Sequence, residues 1–506
     1  MSENTKLKTH KLNESFSAIE GSPETIKKIF EFLKVERPGA YFEPEVKRGF
    51  KSPFEFFSSI QNKMLLVMNG HIELLQQFDV PQLEKYSEFT EDELDDFLTD
   101  IKKELPFPPY DFQENSFKES ILNGKQINKM CTGSGKSLTI ALIAEFFRRK
   151  GKKGLLLVPT IGLLTQFKGD IKEYNLNDLY DDVHIIGGGE TVRHFDKPLT
   201  ISTWQSIFNY KDDLDKLDYV ITDEAHRFAS IETSAIVKET VNCKYKWGFT
   251  GTIPESDVQK MQLFGLFGLP KTYITSRELI KRNLATPIKI NAIIFDYDKM
   301  DKKIIKNAKT YTQKLKVIKE HEKRNKFIVN LTAKLSANTL VLFQHTEHGK
   351  TLFMDLMKKL HPDVKVENKD ITGKKSFDFQ EKYKIYFLNG EDDAKTREKT
   401  RQILETHNDA MLIANYSLLS TGVNIKRLHN MILASPLKSY TTVTQSIGRL
   451  MRLHKDKSEA NIYDLIDNLG VYKVGGVFYK QYEHRCATSY HSEGFPIKEV
   501  FYNLGD

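Results

Sequence analysis

The sequence contains few cysteines and no long apolar run, and each shortage argues against a class of protein. Only three cysteines occur among the 506 residues, and no two of them show CxxC spacing. A disulfide framework or a zinc knuckle is therefore not expected. The longest apolar runs, such as Leu155–Val158 and Met64–Met68, are far shorter than the roughly 20 residues that span a bilayer. Because the N-terminus is polar rather than signal-like, we predict a cytoplasmic protein with no membrane partner.

A strong overall charge is missing as well, but the existing charge is unevenly distributed. The chain has 75 Lys and Arg and 68 Asp and Glu, a formal net charge of +7. Residues 1–105 hold 14 basic and 20 acidic side chains, which leaves 61 basic and 48 acidic side chains for the remainder. Within the remainder, the segment 301–326 is the most basic. It fits a solvated helix face and a phosphate-binding surface equally well.

The alternation of apolar segments predicts the fold class. At about 100–200 residues per domain, a chain of this length predicts about three domains. Short apolar strands alternate with helical segments from residue 126 to 295, and the alternation restarts after residue 326. This rhythm is typical of parallel βαβ units. We therefore predict an α/β protein with two tandem parallel-sheet domains and a small N-terminal α/β accessory domain.

Composition predicts the boundaries. An acidic run at 88–100 and a proline cluster at 106–109 indicate a linker near residues 90–108. We place the accessory domain with its linker, the two sheet domains and a C-terminal extension at 1–105, 106–295, 296–470 and 471–506.

Two smaller segments carry structural predictions. In the accessory domain, Tyr41–Pro44 predicts a short strand. In the second sheet domain, the polar stretch 361–383 is longer than a usual α/β connection and predicts an insertion. A mobile surface loop and an element that contacts nucleic acid are equal alternatives for it.

Cys131–Ser137 predicts a phosphate-binding loop. The segment reads Cys-Thr-Gly-Ser-Gly-Lys-Ser and lies between a predicted strand and a helix. Glycines let the backbone turn its N–H groups towards phosphate oxygens at the positive end of the helix. Lys136 is then expected to reach the β and γ phosphates, and the Ser137 hydroxyl to ligate Mg²⁺. Met130 stands where the full pattern has its first glycine.

An acidic segment, Asp223-Glu224-Ala225-His226, ends a second apolar strand. At that place a carboxylate can meet the metal held by the phosphate loop. Asp223 suits the Mg²⁺ role, and Glu224 suits the polarisation of the attacking water. Alone the tetrapeptide fits an exposed acidic loop, but with the phosphate loop it predicts a nucleoside triphosphate hydrolase.

Hydrolysis of this kind needs guanidinium groups near the γ phosphate. The segment 445–452 supplies Arg449 and Arg452, three apart on a predicted helix and therefore on one face. They belong to the second sheet domain, so we expect them to complete the site only when the domains close. A basic surface helix is the alternative for this segment alone.

Taken in order, these motifs resemble those of superfamily 2 helicases and translocases over residues 110–468. Five further segments contribute to the resemblance: Phe112-Gln113, Val158–Gln166, Thr203–Ser206, Phe249–Thr252 and Ser420–Asn424. The resemblance implies two RecA-like domains that use ATP and Mg²⁺ to move along nucleic acid.

The resemblance also implies roles for single residues. ATP is expected to contact Phe112, Gln113, Thr132, Gly133, Ser134, Gly135, Lys136, Ser137, Gly422 and Asn424. The tracked strand is expected to contact Pro159, Thr160, Gln166, Gly188, Thr203, Trp204, Gln205 and Thr421. Coupling between the two ligands is assigned to His226, Thr250, Thr252 and Gln445. A purely structural hydrogen bond is the alternative for His226, and a core position is the alternative for Trp204.

A narrower resemblance is to the UvsW family, the branched-DNA helicases of T-even phages. It rests on Ile186–Gly189, Gly390-Glu391, Tyr463–Asp467 and, in the accessory domain, Tyr41-Phe42 and Gly70–Ile72. It implies an accessory DNA-binding domain and a DNA helicase that remodels forks, Holliday junctions, displacement loops and RNA–DNA hybrids. The implied setting is phage recombination, replication and repair in the host cytoplasm, without a required oligomer.

Three alternatives stay open from the sequence. An RNA helicase carries similar Asp-Glu-Ala-His letters, and a restriction-type motor subunit would need a separate nuclease. A nucleic-acid clamp that binds ATP without turnover is disfavoured by Glu224 and the two arginines. Stimulation of ATP hydrolysis by DNA or by RNA separates a DNA helicase from an RNA helicase and excludes the clamp, whereas co-purification of a nuclease would support the restriction-type motor.

Overall fold

A computed structural model describes residues 6–84, 87–187, 194–208, 210–372, 376–421, 425–437, 440–470 and 475–505. The chain forms two compact units, Met1–Ile274 and Thr275–Asp506. Three predicted site residues, Gly188, Gly422 and Asn424, lie outside the described residues. Within the described ranges, no helix combines the length and the apolar character that a bilayer crossing requires.

The first unit begins with a small sheet. Its elements are β1 (Lys8–Lys11), β2 (Phe16–Glu20), α1 (Pro23–Phe32), β3 (Lys34–Glu36), α2 (Pro44–Lys47), β4 (Phe54–Phe56), β5 (Ser58–Gln61) and β6 (Met64–Met68), with 3₁₀ turns at Ala40–Phe42 and Asn69–Phe78. Four strands pair antiparallel in the order β1-β2-β6-β5, and β3 pairs with β4. The strand predicted at Tyr41–Pro44 is wrong. Gly39 has a φ of 73° and starts the 3₁₀ turn, and Pro44 opens α2, so this stretch joins no ladder.

The acidic linker prediction is also wrong, because its core is a helix, α3 (Glu91–Glu104). Thr90 caps it by accepting from the Glu93 N–H, while the Glu93 carboxylate accepts from the Thr90 N–H. One face of the helix is buried through Leu94, Phe97, Leu98 and Ile101. The acidic residues thus lie on the solvent-exposed face of an amphipathic helix.

A parallel sheet follows in the same unit. Its elements are α4 (Asp111–Asn123), β7 (Lys125–Met130), α5 (Lys136–Arg149), β8 (Gly154–Val158), α6 (Ile161–Glu173), α7 (Asn177–Asp181), β9 (Val183–Ile186), β10 (Leu199–Thr203), α8 (Trp204–Ile207), β11 (Tyr219–Asp223), α9 (Ile231–Glu239), β12 (Tyr245–Thr250), α10 (Asp257–Phe267) and β13 (Pro270–Ile274). The strand order is β13-β7-β12-β11-β8-β10-β9, and every pair is parallel. The interior strand β8 is buried at every residue, which fits its continuous apolar sequence and a sheet covered on both faces.

The small sheet shares a core with the parallel sheet. Ile19 and Val67 belong to the same buried cluster as Ile127 and Leu155. A methyl group at Gly70 would collide with the backbone of α10, so only glycine allows this approach. The neighbouring His71 is fully buried and donates from Nε2 to the Met261 carbonyl at 2.7 Å. The accessory sheet and the first parallel sheet therefore form one packed unit.

The second unit contains another parallel sheet. Its elements are α11 (Ser276–Lys281), β14 (Ile288–Asp296), α12 (Lys299–Asn307), α13 (Tyr311–Glu320), α14 (Glu322–Lys334), β15 (Thr339–Phe343), α15 (Thr346–Leu360), α16 (Asn368–Ile371), α17 (Ser376–Tyr383), β16 (Ile385–Leu388), α18 (Ala394–Thr406), β17 (Met411–Asn415), β18 (Asn430–Leu433), α19 (Tyr440–Leu450), β19 (Ala460–Asn468), α20 (Val477–Arg485) and β20 (Ile497–Asn503), with a 3₁₀ turn at Tyr416–Thr421 and a π turn at Cys486–Tyr490. The strand order is β16-β17-β15-β18-β19-β14-β20, again all parallel. The prediction of two parallel sheets with a small N-terminal α/β part is confirmed.

Three features of the second unit differ from the predicted organisation. The unit begins at Thr275 rather than 296, because β14 pairs with β19 and β20. The segment after 470 is not an appendage, because β20 forms an edge of the sheet. In the predicted insertion, α16 and α17 are ordered helices, and the buried Gln380 amide accepts from the Phe387 N–H and donates to the Ile371 carbonyl. The mobile-loop alternative is therefore wrong for 376–383.

Candidate active site

The predicted nucleotide-binding residues of the first unit gather at one edge of its sheet. Strands β7, β11 and β12 are adjacent and parallel, so their carboxyl ends lie side by side. The phosphate loop follows β7, Asp223 ends β11, and Thr250 ends β12. Ligands of open α/β sheets bind at this edge. The topology therefore brings together residues that are more than 100 positions apart.

The phosphate loop has the backbone geometry that its glycines predict. Gly133 and Gly135 adopt φ values of 86° and 76°, a region that favours glycine. Gly135 directly precedes α5 as its N-cap residue and has no side chain with which to cap the helix. The Lys136 ammonium lies 3.3 Å from the Met130 carbonyl oxygen and 3.5 Å from that of Cys131. These contacts fold the lysine back over the loop.

Gln113 supports the loop from α4. Its side-chain N–H donates to the Ser134 carbonyl at 2.8 Å, and its side-chain oxygen accepts from the Tyr110 N–H at 2.8 Å. The residue is 3% exposed, and a methyl group at Gly135 would collide with its amide. Phe112 is also buried and stacks on Tyr110 at 5.4 Å between ring centres. The adenine-reading role of this pair stays a prediction.

Asp223 and Glu224 occupy the carboxyl end of β11. Glu224 has a φ of 51°, a left-handed conformation that costs a non-glycine residue about 1–3 kcal/mol and is typical of functional sites. Its N–H donates to Asp223 Oδ1 at 2.9 Å. Burial raises the pKa of Asp223, the adjacent Glu224 carboxylate raises it further, and the Lys136 ammonium lowers it. Two carboxylates thus face a single ammonium group.

His226 connects this acidic pair to the end of β12. Its Nδ1 lies 2.9 Å from Thr250 Oγ1 and 3.4 Å from Glu224 Oε2. The Thr250 hydroxyl donates to the Thr252 carbonyl at 2.8 Å, so the histidine Nδ1–H is the donor in the first contact. Burial lowers the pKa of His226, which keeps the imidazole neutral near pH 7. His226 thus contacts Thr250, one of the residues to which the sequence assigns coupling, and the coupling role itself stays a prediction.

The residues of this edge fit a nucleotide with Mg²⁺. The Ser134 hydroxyl is buried and has no hydrogen-bond partner among the described residues. The uncapped end of α5 leaves backbone N–H groups for phosphate oxygens. The excess of carboxylate over ammonium charge at Asp223 and Glu224 suits a divalent cation. Asp223 and the Ser137 hydroxyl are the groups that would hold it.

The residues predicted to contact nucleic acid lie at the ends of β8 and β10. Thr160 precedes α6, and its hydroxyl accepts from the Leu163 N–H at 3.3 Å. The Thr203 hydroxyl lies 2.9 Å from Ser206 Oγ and is almost fully buried. Pro159 is half-buried, whereas Gln166 and Gln205 are exposed. Trp204 is half-buried against the shared core, which favours the packing alternative for most of its ring.

In the second unit, α19 carries Gln445 and Arg449, and Arg452 follows it. All three side chains are half-buried. The Arg452 carbonyl accepts from the Thr286 hydroxyl at 2.9 Å, which joins the end of this segment to the residues before β14. Thr421 ends the 3₁₀ turn that follows β17. The roles predicted for these four residues stay predictions.

Sequence reasoning missed the groups that hold the site in place. The Met130 and Cys131 carbonyls contact Lys136, and no residue type marks a backbone acceptor. It also missed Arg324, Tyr416 and Arg485, which approach the segment that leads into α19. A buried arginine on an amphipathic helix looks like a surface residue in the sequence, so no local pattern identifies these residues.

Two protein-family models match the chain. One is described as the type III restriction enzyme, res subunit, and matches residues 106–255, and the other is the helicase conserved C-terminal domain, which matches residues 333–454. The first match covers the phosphate loop and Asp223, and the second lies within the second parallel sheet.

Individual relatives agree with these matches. The ATP-dependent DNA helicase uvsW of Enterobacteria phage T4 is 30% identical over 416 residues, which are 80% of this chain and 78% of that protein. The solved structure of T4 UvsW is 26% identical, with 99% of this chain and 100% of that chain covered and a TM-score of 0.47. Dbp5 of S. cerevisiae, bound to RNA and ADP BeF3, is 12% identical, with 83% and 95% covered and a TM-score of 0.51, a likeness of fold alone.

Proposed function

The chain belongs to the superfamily 2 helicases and, within them, to the family of the T4 UvsW helicase, and from this premise we propose that it is a nucleic-acid-stimulated ATPase that remodels branched DNA. That it is an ATP-dependent helicase follows from the family. The observation that carries the finer proposal is the 30% identity to a DNA helicase over 80% of the chain, with the phosphate loop, Asp223 and Glu224 at one sheet edge. Forks, Holliday junctions, displacement loops and RNA–DNA hybrids are the proposed substrates.

The proposed division of labour follows from the contacts at the sheet edge. MgATP, when bound, supplies the phosphoanhydride bond whose hydrolysis drives movement. Lys136, which now contacts two backbone carbonyls, would contact phosphate oxygens, and Asp223 and Ser137 would hold the metal. Glu224 polarises the attacking water, and Arg449 and Arg452 neutralise charge that develops on the γ phosphate. His226 lies between Glu224 and Thr250 and couples a change at Glu224 to Thr250 through the hydrogen bond between His226 and Thr250.

The accessory domain is proposed to contact DNA through the segment that joins β3 and β4. Phe42 is 81% exposed and Phe50 is 82% exposed on this loop. Lys47 and Arg48 are exposed between the two rings. Exposed aromatic rings that alternate with basic side chains suit unpaired bases and their phosphates. Because the accessory domain belongs to the same compact unit as the phosphate loop, DNA held there would move with that loop.

A restriction-type motor is the second candidate, because residues 106–255 match the res-subunit model. Such a motor acts with a nuclease, so it requires a partner chain. Stable co-purification of a nuclease with the full-length chain would favour this candidate over an autonomous helicase.

The decisive test of the proposed site is the Lys136→Ala variant. It should lose DNA-stimulated ATP hydrolysis and fork unwinding while it still binds DNA, because the ammonium contacts phosphate and the DNA-contacting residues lie elsewhere. Lys216→Ala is the matched control, since Lys216 is exposed and pairs only with Asp213 among the described residues, at 2.9 Å. Near-normal ATP hydrolysis by Lys136→Ala would contradict the site assignment.

Substrate choice needs a second experiment. Unwinding is compared on forked, four-way and linear duplexes with overhangs of both polarities, and ATP hydrolysis is compared with DNA and with RNA. The proposal expects preference for branched DNA. If RNA but not DNA stimulates ATP hydrolysis, the protein is an RNA helicase. If all duplexes are unwound equally, the proposed preference for branched DNA is wrong.

A further inference from the structure

The segment Ala434–Leu437 follows β18, and two residues separate it from α19, the helix that carries Gln445 and Arg449. Three of its four carbonyl oxygens accept hydrogen bonds from buried side chains of three different elements. The donors are Arg324 to Ala434 at 2.9 Å, Tyr416 to Ser435 at 3.1 Å and Arg485 to Leu437 at 2.6 Å. A connecting loop is usually exposed and loosely held. In the described part of this connection, three of the four residues are held through their carbonyl oxygens.

Arg485 is the anchor nearest to α19. It ends α20, is 2% exposed, and forms a two-pronged ion pair with Asp464 of β19 at 3.0 and 2.9 Å. Its remaining nitrogen, Nη1, donates to the Leu437 carbonyl. The Tyr490 hydroxyl donates to the same Asp464 carboxylate at 2.8 Å. The π turn that contains Tyr490 also contacts α19 directly.

Arg324 repeats this arrangement at the other end of the segment. It lies on α14, is fully buried, and pairs with Asp467 of β19 at 2.7 and 3.2 Å. Its Nη1 donates to the Ala434 carbonyl. One strand, β19, therefore supplies two carboxylates three residues apart, and each fixes an arginine that reaches the same loop.

Tyr416 extends the arrangement to the 3₁₀ turn Tyr416–Thr421. Its ring is buried, and its hydroxyl donates to the Ser435 carbonyl. The turn leads into the segment 420–424, which is predicted to contact ATP and the tracked strand. The Ala434–Leu437 segment is thus hydrogen-bonded both to the turn that leads into residues 420–424 and to Arg485 of the C-terminal residues.

From these contacts we infer that Arg485, fixed by Asp464 and assisted by Tyr416, is a positioning residue that sets the placement of α19 and hence of Arg449 and Arg452. This inference rests on the proposed function of those two arginines. It gives the C-terminal segment after β19 a part in nucleotide hydrolysis, although none of its residues is proposed to touch nucleotide. A displacement of about 1 Å in a group that stabilises the transition state can cost about 100-fold in rate.

The chemistry of the contact selects arginine. A guanidinium group has five N–H donors in a rigid plane, so it can engage a carboxylate with two nitrogens and a carbonyl with the third. Lysine keeps the charge and can still pair with Asp464, but its single nitrogen does not reproduce the planar bridge to Leu437. Arg485→Lys therefore weakens positioning while it keeps a cation in the buried site.

The test uses the full-length chain and compares affinities for ADP and for ADP with aluminium fluoride, a mimic of the transferring phosphoryl group. ADP binding depends on the phosphate loop of the first unit, whereas the mimic also engages the arginines. The ratio of the two affinities does not change with the fraction of folded protein. Arg485→Lys should weaken binding of the mimic by about tenfold to 100-fold and leave ADP binding unchanged.

Two matched variants guard against a merely structural effect. Tyr416→Phe and Tyr482→Phe each remove one phenol hydroxyl from a buried ring in the second unit, but the Tyr482 hydroxyl donates to Glu499 at 2.6 Å and not to the Ala434–Leu437 segment. Tyr416→Phe should lower the affinity for the mimic relative to the affinity for ADP. Tyr482→Phe should leave this ratio unchanged. If Arg485→Lys does not fold, this pair decides the question.

Three outcomes would overturn the inference: an unchanged ratio in Arg485→Lys, an equal loss of both ligands, or an equal effect of the two tyrosine variants. Failure of the proposed function has a different signature, because the parent chain itself would then hydrolyse no ATP or would bind the mimic no more tightly than ADP.

Discussion

Replacement of Lys246 by methionine should change how the stability of the first unit depends on pH. Lys246 lies in β12, is 2% exposed, and donates from Nζ to Ser15 Oγ at 2.7 Å and to the Val237 carbonyl at 3.4 Å. The contact with Ser15 connects the parallel sheet to the segment before β2. Burial lowers the pKa of Lys246 from 10.5 to about 7.

The magnitude follows from the two protonation states. Above pH 10.5 the amine is neutral in both the folded and the unfolded chain, so burial carries no penalty for charge. As pH falls towards 7, the unfolded chain binds the proton first, and the folded state loses relative stability. This amine alone should lower the free energy of unfolding by about 4 kcal/mol between pH 10.5 and pH 7, and by about 2 kcal/mol between pH 9 and pH 7.

Chemical denaturation followed by tryptophan fluorescence measures this effect. Both tryptophans of the chain, Trp204 and Trp247, belong to the first unit, so the signal reports that unit. The free energy of unfolding is measured from pH 7 to pH 9 for the parent chain and for Lys246→Met. All other titrating groups are shared and cancel in the difference. The parent should gain about 2 kcal/mol relative to the variant across this range.

A difference between parent and Lys246→Met that stays constant from pH 7 to pH 9 would refute the reasoning, because it would mean that the amine keeps an ordinary pKa in the folded chain. Lys216→Met is the control: the Lys216 side chain is 66% exposed. The difference in the free energy of unfolding between Lys216→Met and the parent should stay constant from pH 7 to pH 9.

Two further changes test the ligand sites. Gln113→Ala should raise KM for ATP by about tenfold, because the Gln113 amide holds the Ser134 carbonyl and shapes the phosphate loop, and one lost buried contact of this kind is worth about 1–1.5 kcal/mol. Steady-state ATP hydrolysis measures the effect. An unchanged KM would mean that Gln113 does not contribute to nucleotide binding. Replacement of both Phe42 and Phe50 by serine should weaken binding of forked DNA by about tenfold or more at about 1–3 kcal/mol per stacked base. Fluorescence anisotropy measures the affinity for forked DNA. The control is Phe501→Ser, which removes a ring that is 60% exposed in the second unit. An equal loss of affinity in this control would argue against base stacking by Phe42 and Phe50.

The predictions that succeeded were local in origin. Strands β8 and β11 are mostly apolar and buried, as expected when both faces of a parallel sheet are covered, and this pattern is visible in the sequence. The phosphate loop requires glycine at backbone angles that other residues disfavour, so Gly133 and Gly135 identify it. The acidic stretch at 91–104 misled the interpretation, because its charge lies on one face of α3 and its buried face has helical rather than continuous spacing.

The sequence by itself determined two parallel sheets, the phosphate loop and the acidic pair after β11, because each depends on residues that are adjacent in the chain. Only the tertiary structure decided that the accessory sheet shares a core with the first parallel sheet and that β20 completes the second one. It also decided that Arg324, Tyr416 and Arg485 meet at one loop. The physical reason is that these contacts join residues far apart in the chain to backbone carbonyls, and every residue type carries the same carbonyl group.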